Sequence, residues 1–314
     1  MSYELYLHIG YPKTGTTFLQ RAVFPSAQSM NFIPSSSIGN ELSMITHQCD
    51  LSFDAKATKL SLERHFRPGI NLISYEALIG DFHRLKLMNS KVIADRLKML
   101  FPSARIVVTV RNQYDLMESL YKQYLQRGGV KRFRDFVNYQ NGAFGPTHPQ
   151  WNLSVDIAMF NYLRLLDTYE SLFGRENLLV VPYELLQDDP KGFTRILFSW
   201  MGLEEVPSFK NEFYNTGYGA AQMSLARLFN RFLRSELNEG SLIPALSLPG
   251  IGKIDAGRFR GVLQSSLSRR LLGKKPITDH DMKKQVHDHF AGSNREMNDR
   301  YSLNLDQHCP GKYF

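Results

Sequence analysis

The stretch "LHIGYPKTGTTFLQ" (residues 7–20) moves from an apolar run through a short Gly/Pro loop into a helical pattern, and its reading decides the fold. Its first residues close the run "LYLHI" (5–9), and two further runs, "RIVVTV" (105–110) and "NLLVVPY" (177–183), share its character. Aliphatic and β-branched residues without polar alternation mark strands buried on both faces, and "INLISYE" (70–76) is a weaker fourth. Helical spacing fills the gaps, in "KVIADRLKMLF" (91–101) and in "SVDIAMFNYLRLLDTYESLFG" (154–174), which stops at a glycine. Strands separated by helices predict right-handed βαβ units and a parallel sheet, an α/β fold of P-loop-like form. The last third reads as mostly helical, through "SLARLFNRFLRSEL" (224–237) and "DHDMKKQVHDHFAGSNREMNDRY" (279–301). A Gly/Pro-punctuated stretch separates these two, so the expectation is a single domain over 1–314 in which 238–275 forms a basic lid or surface insertion.

In an open parallel sheet, ligands bind beyond the carboxyl ends of the strands, where Gly10 to Gly15 falls. Phe18, Leu19, Ala22 and Val23 share one apolar stripe, which places Gly15, Thr16 and Thr17 in the first helical turn. Their N–H groups lack intrahelical acceptors and, with the helix dipole, make an anion site. Gly10 and Gly15 let the backbone turn closely, Pro12 stiffens the loop, and Lys13 adds a mobile cation. A nucleoside-triphosphate loop would read G-x-x-x-x-G-K-[ST]. Here Gly15 is followed by Thr16, the lysine stands at 13, and the strand "RIVVTV" ends in Arg111 where a magnesium-binding acid would be expected. Both departures favour an anionic nucleotide handled without metal.

"PKTGTTFLQ" (12–20) resembles the 5′-phosphosulfate loop of sulfotransferases that use 3′-phosphoadenosine 5′-phosphosulfate (PAPS). The resemblance implies that Lys13 contacts the leaving phosphate and the transferring sulfuryl group, and that Gly15, Thr16, Thr17 and, more loosely, Thr14 hold the 5′-phosphate. The family's 3′-phosphate motif is an arginine at a strand end with a serine eight residues later, which Arg111 and Ser119 match. An arginine there can grip a phosphate through two parallel hydrogen bonds. Alone, this pattern is weak, and an ordinary ion pair would explain the arginine equally well. Its place about 95 residues after the loop, at a strand end, strengthens it. "LLVVPYELLQDDP" (178–190) resembles the strand and turn after the family's long helix, which would set Tyr183 near the adenosine. Structural roles for Tyr183 and Glu184 are equally open. The cytosolic branch's "RKGxxG" segment has no counterpart, although "GRFRG" (257–261) offers cations. "AGSNREMNDRY" (291–301) is more similar to the tail of bacterial sulfotransferases that act on carbohydrates.

Sulfuryl transfer to a hydroxyl needs a base, which in this family follows the second strand as histidine or glutamate. Glu76 in "NLISYEAL" (71–78) stands there, with Ile73, Ala77 and Leu78 as apolar neighbours able to raise its pKa. The rival reading is a glutamate that complements a helix dipole. His47, His83 and His148 are reserve bases, while His8, inside the first strand, reads as a satisfied core histidine.

Composition agrees with this frame. The 314 residues are 43% hydrophobic and 22% charged, with a net charge of +8 that favours anionic ligands. Two distant cysteines, Cys49 and Cys309, form neither a disulfide framework nor a zinc site and point to a reducing, cytoplasmic compartment. No run approaches the roughly eighteen apolar residues of a membrane span. Two other classes compete: a P-loop kinase, which would need magnesium ligands, and a nucleic-acid module, motivated by the seven basic residues between Lys253 and Lys275. That run carries one aromatic, Phe259, too few for stacking along a single strand. The expectation is therefore no nucleic-acid partner. Peripheral membrane contact through 253–275 and a hydroxyl acceptor, carbohydrate or glycolipid, complete the reading.

Overall fold

The computed structural model describes residues 2–80, 89–145, 155–204, 206–209, 219–234, 237–238, 246–248, 252–254 and 279–314. In chain order come β1 (Tyr3–His8), α1 (Thr16–Phe18), β2 (Asn31–Ile33), α2 (Gly39–His47), α3 (Ala55–Glu63), β3 (Gly69–Ser74), α4 (Ser90–Leu100) and β4 (Arg105–Val110). Then follow α5 (Gln113–Gln126), α6 (Phe133–Phe136), β5 (Tyr139–Gln140), β6 (Ala143–Phe144), α7 (Tyr162–Phe173), β7 (Leu178–Pro182), α8 (Tyr183–Asp188) and α9 (Pro190–Trp200). The remainder holds α10 (Ala220–Asn230), β8 (Leu246–Leu248), β9 (Gly252–Ile254), α11 (His280–Tyr301) and α12 (Leu305–His308).

The α/β expectation holds: β2, β3, β1, β4 and β7 form one five-stranded sheet in that order, and every pairing within it is parallel. β3 and β2 lie on one side of β1 and β4 and β7 on the other, so the loop after β1 lies where the chain changes direction across the sheet. The buried rows of β4 and β7 explain their uninterrupted apolar sequences. On one side of the sheet Tyr6, Leu72, Val107 and Val181 pack with Phe18, Leu19, Val23 and Phe24 and with Phe193, Leu197 and Phe198 of α9. Each such large side chain contributes about 1.5–3 kcal/mol on burial, which fixes the helix after the loop against the strands.

Two compact units emerge from the chain. The first comprises Met1–Asn112, Ile157–Tyr214 and His287–Phe314 and contains the whole sheet; the second comprises Gln113–Asp156 and Asn215–Val286. Within the second, Tyr121, Tyr124, Phe133 and Phe136 pack ring to ring, and Asn230 of α10 donates to the carbonyls of Leu125 and Gly129.

Several element bounds differ from the sequence expectation. The helix expected over 154–174 begins only at Tyr162, because Asn161 caps it by accepting from the Arg164 N–H, and Ile157–Phe160 is a separate 3₁₀ turn. The helix expected over 224–237 is shifted toward the N-terminus, as Ala220–Asn230. The helix after the loop opens as α over Thr16–Phe18, widens to π over Leu19–Val23 and tightens to 3₁₀ over Phe24–Ser26. Gly15 caps it instead of starting it. Most of the 238–275 stretch, including "GRFRG", lies outside the described residues. Among the described residues, no helix is long and apolar enough to cross a membrane.

Candidate nucleotide-binding site

The loop after β1 is built by three residues with positive φ: Gly10 (+65°), Lys13 (+67°) and Gly15 (+82°). Ile9 and Tyr11 donate their N–H groups to the carbonyls of Val107 and Thr109, at 3.0 and 3.2 Å, which draws the loop along β4. The Thr14 hydroxyl, fully buried, donates to the Tyr11 carbonyl at 2.5 Å and closes the turn. A left-handed lysine costs on the order of 1–2 kcal/mol. Arg111 Nη1 donates to the Lys13 carbonyl at 2.8 Å and holds that conformation in place. Gly15 is required twice over, since a Cβ there would also meet Leu186 Cδ2 at 2.4 Å and Tyr183 Cε2 at 3.1 Å.

At the head of the helix, Phe18 and Leu19 donate back to the Gly15 carbonyl, so the N–H groups of Thr16 and Thr17 precede the first helical bond. The Thr16 side chain is 4% exposed, and its Oγ1 has no hydrogen-bond partner. A buried hydroxyl left unmade costs about 1–3 kcal/mol, so this atom is primed for an acceptor that a bound oxyanion would bring.

Beneath the loop lies a polar floor. His8, fully buried, places Nδ1 2.7 Å from Ser74 Oγ of β3 and Nε2 3.1 Å from Thr109 Oγ1 of β4. Gln20 donates to the Ser74 carbonyl at 2.8 Å and to its hydroxyl at 3.1 Å, tying the π-helix to the same group. Burial pushes the His8 imidazole down to about 4, so it is neutral near pH 7 and joins three strands as a core histidine.

Beside the loop, the Arg111 guanidinium lies 4.7 Å from the Tyr183 ring centroid, and its Nε has no hydrogen-bond partner. The same arginine thus supports the loop through one nitrogen and retains a buried donor. Its backbone carbonyl accepts from the Tyr162 phenol, and the next N–H, of Asn112, donates to buried Glu184.

Residues 6–214 match the family described as the sulfotransferase domain. The chain belongs to the sulfotransferases. Its fold is similar to that of a sulfotransferase from Alicyclobacillus acidocaldarius, with a TM-score of 0.55 and 13% identity over 98% of this chain and 99% of that one. A mouse sulfotransferase complexed with PAP aligns at a TM-score of 0.40 and 14% identity, covering 99% of this chain and 89% of the other. No curated protein matches the sequence. As a sulfotransferase, the protein is an enzyme that transfers a sulfuryl group.

The sulfotransferase structure gathers Lys13, Thr14, Gly15, Thr16, Thr17, Arg111 and Tyr183 at the carboxyl ends of β1, β4 and β7. Glu76 follows β3, the neighbouring strand, and heads the 3₁₀ turn Glu76–Ile79. It is half-buried, and a Cβ on Gly10 would lie 3.5 Å from Glu76 Cβ and 3.6 Å from Thr16 Oγ1, which sets this carboxylate's stem against the loop. Ser119, half-buried on α5, belongs to the second unit. Of the reserve bases, His47 is exposed at the end of α2 with Nδ1 2.6 Å from Thr46 Oγ1, and His83 and His148 lie outside the described residues. Sequence reasoning missed Tyr162 as a holder of Arg111. A tyrosine at the start of an amphipathic helix carries no signal for a partner about fifty positions earlier in the chain.

Proposed function

We propose that this sulfotransferase moves the sulfuryl group of PAPS in line, without a metal ion, onto a hydroxyl of a carbohydrate or glycolipid acceptor. The observation that carries the reading is the buried, unpartnered Thr16 hydroxyl at the head of the helix, in a loop that Arg111 holds by the Lys13 carbonyl. The residues present fit a 5′-phosphate: two leading N–H groups, a donor hydroxyl, and a glycine that keeps the cradle free of a side chain. Gly15, Thr16 and Thr17, with the backbone of Thr14, bind that phosphate. Lys13 neutralises charge developing between it and the departing sulfuryl group. Arg111 takes the 3′-phosphate, with Ser119 as the hydroxyl that the family's spacing assigns to it. Tyr183, whose ring centroid lies 4.7 Å from the Arg111 guanidinium, borders the adenosine. Glu76 takes the acceptor's proton, helped by its half-buried position.

Metal independence rests on Arg111, a cation where a magnesium-binding carboxylate would stand. The whole chain, 1–314, works as one catalytic domain in the cytoplasm, where the exposed free thiol of Cys49 persists. The basic composition of 253–275 suits contact with an anionic acceptor or a lipid headgroup surface. The test is incubation with labelled PAPS and a panel of glycans, glycolipids and phenols, followed by mass spectrometry. A gain of about 80 Da on a glycan or glycolipid is expected. Transfer to phenols alone would overturn the acceptor reading. A strong rise in melting temperature with ATP and magnesium, but none with adenosine 3′,5′-bisphosphate, would replace it with a kinase.

A further inference from the structure

The peptide that joins Arg111 to Asn112 is fixed at both of its polar atoms. Its carbonyl accepts from the Tyr162 phenol at 2.5 Å, and its N–H donates to Glu184 Oε1 at 2.8 Å. The chain of contacts does not stop there. Glu184 Oε2 accepts from the Tyr313 phenol at 2.9 Å, and Asn112 Nδ2 donates to the Lys312 carbonyl. The Tyr313 carbonyl in turn accepts from Asn294 of α11 at 3.0 Å. Asn112, Tyr162, Glu184 and Tyr313 are all buried. Burial, followed by the nearby Glu184 charge, raises the Tyr313 phenol well above its ordinary value, so it remains a donor at neutral pH.

We propose that Glu184 and Tyr313 are positioning residues for Arg111: they lock the peptide from which its guanidinium springs, and so set the affinity for a 3′-phosphorylated nucleotide. This rests on the reading of Arg111 as the 3′-phosphate ligand. A planar fork that must meet a phosphate with two bonds tolerates errors of only about 0.5 Å and 10–20°, so rotation of the 111–112 peptide would misaim it. The segment Lys312–Tyr313 thereby acts on the nucleotide site without touching the nucleotide.

The test is calorimetric titration of the full chain with adenosine 3′,5′-bisphosphate and with adenosine 5′-monophosphate, alongside melting curves. Tyr313→Phe keeps the ring and removes one hydrogen bond. It is expected to weaken the bisphosphate about 3- to 10-fold, to weaken the monophosphate less, since Arg111 also holds the Lys13 carbonyl of the loop, and to raise KM for PAPS more than it lowers kcat. Glu184→Gln should follow the same pattern, with Glu184→Ala worse; if the alanine variant does not fold, Tyr313→Phe still decides. Equal loss for both ligands, or no loss for either, would overturn the proposal. Arg111→Ala runs in parallel. If it is selective for the bisphosphate while Tyr313→Phe is not, the positioning role alone falls; if Arg111→Ala is itself unselective, the phosphate reading falls and takes this inference with it.

Discussion

Two hydroxyls in the molecule make the same local bond in different surroundings. Thr14 donates to the carbonyl of Tyr11, three residues back, and Ser37 donates to the carbonyl of Pro34, also three back. The first is fully buried in the loop after β1; the second is exposed in the 3₁₀ turn Ser35–Ser37 after β2. Around Thr14 the turn is tied to distant parts of the chain through Arg111, Thr109 and His8. The contrast separates the half of the sheet that carries the candidate nucleotide site, over β1, β4 and β7, from an outer half over β3 and β2. In the first, Arg111 holds the backbone of the loop across 98 residues, whereas Ser37 bonds a carbonyl three residues back. The first half suits a fixed ligand, whereas an exposed turn whose hydroxyl bonds its own backbone can change without disturbing the core.

The largest expected effect lies on the border between the halves. Glu76→Gln keeps shape but cannot accept a proton, so kcat for a neutral sugar hydroxyl should fall about 10²- to 10⁴-fold with nucleotide affinity nearly intact. Near-normal turnover would remove Glu76 as the base and bring His47, His83 and His148 forward. Next comes Lys13→Ala, which should lower turnover by about 10²-fold whatever the acceptor. An already ionised acceptor, such as an acidic phenol, should partly rescue Glu76→Gln but not Lys13→Ala. Rescue of both, or of neither, would collapse the division of labour between them.

His8 tests the floor of the candidate-site half through pH. Its native pKa is held down to about 4, against about 6.5 in the unfolded chain. Above pH 6.5 both states are neutral and the contribution is fully present. As pH falls toward 4, the unfolded chain takes up a proton that the native state refuses, and stability is lost by up to about 3 kcal/mol. His8→Gln should flatten that window in denaturant titrations at pH 4 to 7. An unchanged pH slope in the variant would mean that His8 is not what titrates.

The sheet and the loop were legible because their signals are local. Val107, Val108 and Val110 announce a strand by composition, and Gly10, Pro12 and Gly15 announce a turn, while the left-handed backbone of Lys13 became visible only in the structure. β2 was not legible: "NFI" is three residues long and owes its strand to register with Asn71, Leu72 and Ile73 of β3. The start of the 154–174 reading failed because a cap at Asn161 outweighs apolar periodicity. The Glu184–Tyr313 contact joins positions 129 residues apart, and no window of sequence contains both. The position of Glu76 was legible from its strand end, but its packing against Gly10 needed the fold.

The smallest effect returns to the two hydroxyls. Thr14→Ala deletes a buried bond that closes the loop, in surroundings where water does not substitute, and should cost about 1–2 kcal/mol of unfolding free energy. Ser37→Ala deletes a bond of the same form at the surface, where the Pro34 carbonyl turns to solvent, and should stay within about 0.5 kcal/mol. The two also divide by ligand. Thr14→Ala loosens the turn that presents Thr16 and should weaken adenosine 3′,5′-bisphosphate measurably by calorimetry, while Ser37→Ala should leave that affinity alone. If both variants lose the same stability and the same nucleotide affinity, burial does not distinguish the two turns, and the division of the sheet into a fixed half and a variable half is wrong.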